Sequence, residues 1–143
     1  MRRVLTTLAL CALLVVGCSS SVSVARMCEL NEEFAALNER TIPDIESDPF
    51  PEPAMLEQNF VEGNELMREM IDVAPDEIRT DLTTHVEWAE KVSDLYSEFD
   101  YDREEVWGTM DEEAYVADYS MDEAARRRIM NWFLEHCGMD LQG

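Results

Sequence analysis

The residues with the most chemistry to offer are four cysteines, two histidines and nine methionines, set among 32 acidic side chains. His85 and His136 lack the short His-Glu-x-x-His spacing that places two imidazoles on one helix face for zinc. The run His85-Val86-Glu87 puts imidazole and carboxylate on different faces of a helix, so this pair does not converge either. On an apolar stripe, His85 reads as a satisfied bundle histidine. The acidic stretch from Asp100 to Asp111 has the look of a calcium loop. Such a loop needs glycine at its sixth position and a bidentate glutamate at its twelfth, where this chain has Glu105 and Asp111. Met67-Arg68-Glu69-Met70 and His136-Cys137-Gly138-Met139 offer thioethers to Cu(I). Methionine at helical spacing more often fills a core. No Gly-x-Ser-x-Gly elbow presents a serine nucleophile. The acids are too numerous to single out an acid–base couple. No catalytic, cofactor or metal residue is therefore assigned, and the chain reads as non-enzymatic.

The cysteines are more informative. Arg2 and Arg3 precede an uncharged run from Val4 to Val16, which is too short for the ~20 residues of a membrane span and ends in Val15-Val16-Gly17-Cys18. That ending resembles the lipobox of bacterial lipoproteins. The resemblance implies that residues 1–17 are an export signal and that the Cys18 thiol accepts a diacylglyceryl group. A peptidase would then cut before Cys18, leaving residues 18–23 as a lipidated N-terminus and short serine-rich tether to a single domain over residues 24–143. Each buried CH₂ contributes ~0.8 kcal/mol, so two acyl chains hold a protein to a bilayer without spanning it. The expected location is extracytoplasmic, on the outer face of the cell membrane, or on an outer membrane in a cell that has two.

Cys11 leaves with the signal and Cys18 carries lipid, which leaves Cys28 and Cys137. Two cysteines remaining in an exported domain pair more often than they stay as separate buried thiols. The formal charge of -21 becomes -23 once Arg2 and Arg3 are removed. Charge of that size repels nucleic acid and anionic lipid and argues against both as partners. Lys91 is the single lysine. An acid-rich, lysine-poor surface suits a salty medium, where ions screen self-repulsion.

The elements that would position these residues are helices, since no segment sustains strand alternation. Met27, Leu30, Phe34 and Leu37 mark a first helix from about Val24 to Glu39, with Cys28 beside the stripe. Pro43, Pro49, Pro51 and Pro53 predict an extended connector that Ile42, Ile45 and Phe50 pin to the core. Leu56, Phe60, Gly63, Met67 and Met70 predict a second helix to Val73, with Gly63 allowing close approach of a neighbour. A third starts near Pro75, with Asp76 and Glu77 favouring its N-terminal dipole. Its stripe from Ile78 through Leu82, His85, Ala89, Val92 and Tyr96 to Phe99 has heptad spacing. Asp100 to Gly108 breaks the pattern. Thr109 with Glu112, and Ser120 with Glu123, resemble capping boxes opening a short helix to about Tyr119 and a last helix to about Cys137. Gly138 suits the left-handed C-cap. Arg126-Arg127-Arg128 is expected to pair with local carboxylates. The predicted fold is all-α: an up-and-down bundle of about four main helices plus one short helix, closed by a disulfide.

The C-terminal Trp132-Phe133-Leu134-Glu135-His136-Cys137-Gly138-Met139-Asp140-Leu141 and the early Cys28-Glu29-Leu30 resemble the two ends of small secreted or lipid-anchored helical proteins of actinobacteria. The resemblance implies a disulfide-closed helical domain and carries no activity with it. The expected function is a membrane-anchored interaction module for an envelope component. The alternative is a small-ligand or metal-ion carrier, with its cavity near Gly63 and the aromatics of the third helix.

Overall fold

The computed structural model describes residues 18–42 and 51–138, with side chains from residue 23 onward. Every element among the described residues is a helix: α1 (Cys18–Thr41), α2 (Pro53–Val73), α3 (Asp76–Ser97), α4 (Arg103–Thr109), α5 (Glu112–Tyr119) and α6 (Glu123–Cys137). Pro53 sits in the first turn of α2, where a missing N–H leaves no bond unmade. Ala74 ends α2 in extended backbone, as a residue preceding proline must.

Cross-helix bonds fix the directions. Asn59 near the start of α2 donates to Asn38 Oδ1 and Thr41 Oγ1 at the end of α1, both at 2.8 Å. At the other end, Ser23 donates to the carbonyl of Val73. α1 and α2 are therefore antiparallel. Leu56, early in α2, packs in one cluster with Leu95 and Tyr96, late in α3. Met70 and Ala74 meet Ile78 and Leu82 at the opposite end, so α2 and α3 are also antiparallel. Arg128 of α6 bonds Asp81 and Trp132 bonds Glu77, which runs α6 against α3. Cys28 bonded to Cys137 closes α6 onto α1. The four helices α1, α2, α3 and α6 form the expected up-and-down bundle.

Helix length divides this bundle into two halves. At 1.5 Å per residue, α6 with 15 residues runs alongside only part of the 22-residue α3. Beside α6 lies a core of Met27, Leu30, Met70, Ile78, Leu82, Ile129, Trp132 and Phe133. Beyond the N-terminus of α6, the short helices α4 and α5 complete the wall. Val106 of α4 is fully buried there with Leu56, Val92, Leu95 and Tyr96. Trp88 Nε1 donates to the carbonyl of Tyr119 at 2.7 Å, and Lys91 Nζ donates to that of Asp118. The single lysine thus meets the negative end of α5, where carbonyls lack helical partners.

Four expectations need correction. Two short helices replace the single one expected, because α4 occupies most of the stretch read as a break. The break itself is confined to the turn after α3, where Asp100 and Tyr101 take φ of 49° and 60°. α1 begins at Cys18, so the segment expected as a tether is already helical and the first helix starts well before Val24. Neither Thr109 nor Ser120 is an N-cap. Asp111 accepts from the N–H groups of Glu113 and Ala114, and Asp122 accepts from those of Ala124 and Ala125. A carboxylate brings both a short acceptor and a negative charge to the helix N-terminus, which a hydroxyl does not. Asp102 does the same for α4. Of the proline connector expected over residues 41–53, residues 43–50, with Ile45 and Phe50, lie outside the described residues.

Candidate functional site

Residues 1–17, where the export signal is expected, lie outside the described residues, as does the side chain of Cys18. No helix among the described residues is long and apolar enough to cross a membrane. Cys28 and Cys137 form a disulfide with their Cα atoms 5.6 Å apart. α6 places Cys137 in its last turn, and Gly138 ends the helix with φ of 65°, the left-handed conformation expected of it.

The scarce cations sit on the seams between helices. Arg26 of α1 reaches Glu69 of α2, and Arg40 reaches Glu62. Arg68 of α2 bonds Glu90 of α3 at 2.7 Å. Arg128 of α6 grips both carboxylate oxygens of Asp81 on α3 at 2.7 Å each. That fork holds the Asp81 carboxyl below its usual range, through the hydrogen bond first and the charge second. Within the arginine run the roles diverge. Arg128 pairs as expected, and Arg127 Nε donates to the backbone carbonyl of Glu123. Among the described residues, Arg126 has only a 3.5 Å approach to Glu123 on its own helix.

Arg126 borders a cleft of about 400 Å³ that opens between α1 and α6. α1 supplies Asn31, Phe34 and Asn38, and α6 supplies Arg126, Ile129, Met130 and Phe133. Met67 and Met70 of α2 and Leu82 and His85 of α3 form the floor. Its walls are mostly apolar, because each helix contributes its inward stripe. Asn31, Asn38, His85 and Arg126 break that surface at a few points. The Nδ1 atom of His85 is buried and has no hydrogen-bond partner among the described residues. This overturns the expectation of a satisfied bundle histidine. The ring lies 5.4 Å from that of Trp88, whose own N–H is committed to Tyr119. Burial, and then the nearby charge of Arg126, lower the pKa of His85 and keep its imidazole neutral at pH 7.

At Gly63, where the expected cavity was placed, α1 and α2 meet closely. A Cβ there would lie 3.1 Å from the ring of Phe34 and 3.7 Å from Leu37. The glycine lets α1 seat an aromatic ring against α2, and that same Phe34 lines the cleft. Of the residues weighed for copper, Met67 and Met70 line the cleft. His136 instead donates from Nδ1 to the carbonyl of Trp132 at 2.9 Å and stacks on its ring, and Met139 lies outside the described residues. In the acidic stretch, Asp102 and Asp111 are occupied as helix caps. Among the described residues, no three His, Cys, Asp or Glu side chains converge as a metal ion would require.

Sequence reasoning missed the cleft because its residues come from four helices. His85 and Arg126 are 41 residues apart in the chain. The one signal available was the position of a histidine, His85, on an apolar stripe; Asp81, one turn earlier, is held by Arg128. Compared with protein-family models, with curated proteins and with solved structures, the chain finds no match.

Proposed function

We propose that the mature protein is a lipid-anchored, extracytoplasmic carrier that holds a small, largely apolar ligand inside its helical bundle. The observation that carries this reading is the cleft of about 400 Å³ in which a buried imidazole nitrogen has no partner among the described residues. Small-molecule pockets run from ~300 to ~1,000 Å³ and combine apolar walls with a few placed polar groups. An unpaired buried polar atom costs roughly 1–3 kcal/mol, which a ligand's own polar group would recover. Export is supported by the Val15-Val16-Gly17-Cys18 ending together with the Cys28–Cys137 disulfide, since such bonds persist in oxidising compartments. The anchor would set where the carrier works, and the bundle what it carries.

Two measurements test the proposal. Protein purified from its own envelope under native conditions should release a small molecule on denaturation, and Cys18→Ala should abolish acyl labelling. Native mass spectra showing the bare polypeptide alone, with no ligand shift in melting temperature across a metabolite panel, would end the carrier reading. A wild-type mass without acyl chains would end the anchor.

A second reading, an interaction module for an envelope component, is favoured by the α4–α5 cap. There Trp107 is 41% and Val116 56% exposed, with the Trp107 ring 4.9 Å from that of Tyr115. Trp107→Ala with Val116→Glu should reduce crosslinking to that component in cells. Unchanged crosslinking would exclude the cap as the contact.

A further inference from the structure

Resting on the carrier reading, we propose that the cleft takes a small amphipathic carboxylate, its head held by Arg126 and His85 and its apolar body enclosed by Phe34, Leu82, Ile129 and Phe133.

Charge is the first argument. The chain carries 32 acidic residues against 11 lysines and arginines. Its other grooves follow that balance: one is lined by Glu33, Glu62, Glu65 and Glu69 around Arg40, another by Glu65, Glu90 and Asp94 around Arg68. The cleft between α1 and α6 differs, because among the described residues no carboxylate lines it and the one formal charge on it is Arg126. Arg126 is also the member of its run that borders the cleft, and its guanidinium has capacity to spare. Arg128 is fully engaged by Asp81 at 2.7 Å, whereas Arg126 makes a single 3.5 Å contact with Glu123. A planar guanidinium matches the two oxygens of a carboxylate as a fork, in a way that an alcohol or an amine cannot reproduce.

His85 supplies the second polar contact. Its buried Nδ1 lacks a partner among the described residues, and a desolvated polar atom in that state gains from any ligand oxygen that reaches it. A neutral imidazole offers an N–H to a carboxylate without adding a second buried cation.

Volume separates this ligand from a bare ion. About 400 Å³ holds roughly a dozen groups of water size at ~30 Å³ each. That suits a medium-chain or single-ring acid. Cu(I) on the thioethers of Met67, Met70 and Met130 would leave most of the space empty and would sit beside a fixed positive charge. The methionines are better suited as an adaptable apolar wall.

Calorimetric titration of the oxidised, unlipidated chain with decanoate, 1-decanol and decylamine tests the assignment. Decanoate should bind at least tenfold more tightly than the alcohol, and the amine more weakly still. Arg126→Gln, at an exposed position that leaves the core intact, should weaken decanoate about tenfold or more and leave 1-decanol unchanged. Ile129→Trp should abolish binding of all three by filling the cleft. Ala35→Phe does the same from the cleft edge, with circular dichroism to confirm the fold. If 1-decanol binds as tightly as decanoate, or Arg126→Gln leaves decanoate unchanged, the carboxylate assignment fails while the carrier reading stands. If none of the three binds, or the filled variants bind as wild type does, both fail. Binding of Ag(I), as a stand-in for Cu(I), that is lost in His85→Gln while decanoate does not bind would overturn the proposal in favour of a metal cleft.

Discussion

Replacing both Cys28 and Cys137 with serine isolates the contribution of the disulfide to this fold. The bond spans 109 residues, and in the chain-entropy description a loop of that length constrains the unfolded state by about 5 kcal/mol. The native side changes little. Met27 and Leu30, which flank Cys28, are fully buried, and Trp132 and Phe133, on the facing stretch of α6, are nearly so, with or without the sulfur link. The effect therefore falls mainly on unfolding and not on native contacts. For a domain of this size 1 kcal/mol moves the midpoint by about 4 °C, so the double variant should melt roughly 15–20 °C lower. Far-UV circular dichroism at 20 °C should show unchanged helical content. Wild-type protein melted in reductant should behave like the variant. A midpoint shift below about 5 °C would show that the unfolded chain is not the part constrained, and the entropic argument would fail. Two reactive thiols in denatured, unreduced protein from the envelope would remove the bond itself.

At neutral pH the melting temperature should rise between low and moderate NaCl, because screening relieves repulsion among 32 acids more than it weakens the few seam pairs; a flat or falling curve would contradict this. Asp122→Ala should cost about 1 kcal/mol through the lost N-cap of α6, whereas Ser120→Ala should be near neutral, as urea titration can measure. Gly63→Leu should destabilise by ~1–3 kcal/mol, since the new side chain meets the Phe34 ring at once; an unchanged urea midpoint would show that α1 yields. The pKa of His85 is lowered in the fold, so the unfolded chain binds the proton more readily. Its contribution is complete above the ordinary value near 6.5 and is lost as pH falls below it. His85→Gln should therefore flatten the fall in stability between about pH 7.5 and 5.5, and an unchanged slope would show that His85 does not titrate differently on folding.

The main helices were legible because each carries an uninterrupted apolar stripe. Ile78, Leu82, Ala89, Val92 and Tyr96 are all buried where the heptad spacing put them. α4 was not legible, because Val106 is its one buried residue and a single apolar position has no period. The start of α1 was obscured by Ser19-Ser20-Ser21, whose composition suits a tether as well as a helix end. Both misplaced caps have one cause: the hydroxyl-to-glutamate spacing matched a known pattern, while Asp111 and Asp122 stood closer to the first turn with a stronger acceptor. The cysteine pairing was legible from compartment logic alone. The cleft was not, because a void is a property of four helices at once and leaves no period in any of them.

The disulfide and the cleft belong to one arrangement. Cys28 and Cys137 hold α1 and α6 together at one end. The cleft begins about one turn further along both helices, at Asn31 and Phe133, and runs to Arg126 near the N-terminus of α6. Beyond Arg126 the wall passes to α5, tied to α3 through Trp88 and Lys91. α6 is therefore anchored covalently at its C-terminal end and by the Arg128 fork to Asp81 near its N-terminal end. Between these points Ile129, Trp132 and Phe133 pack into the core with Met27 and Leu30 of α1, and the cleft opens along the rest of that seam. A tightly interdigitated fourth helix would have closed the space, at native packing density, with side chains. Here the bond disfavours the unfolded chain, and that offsets the packing which an opening in the core of a small acidic domain forgoes.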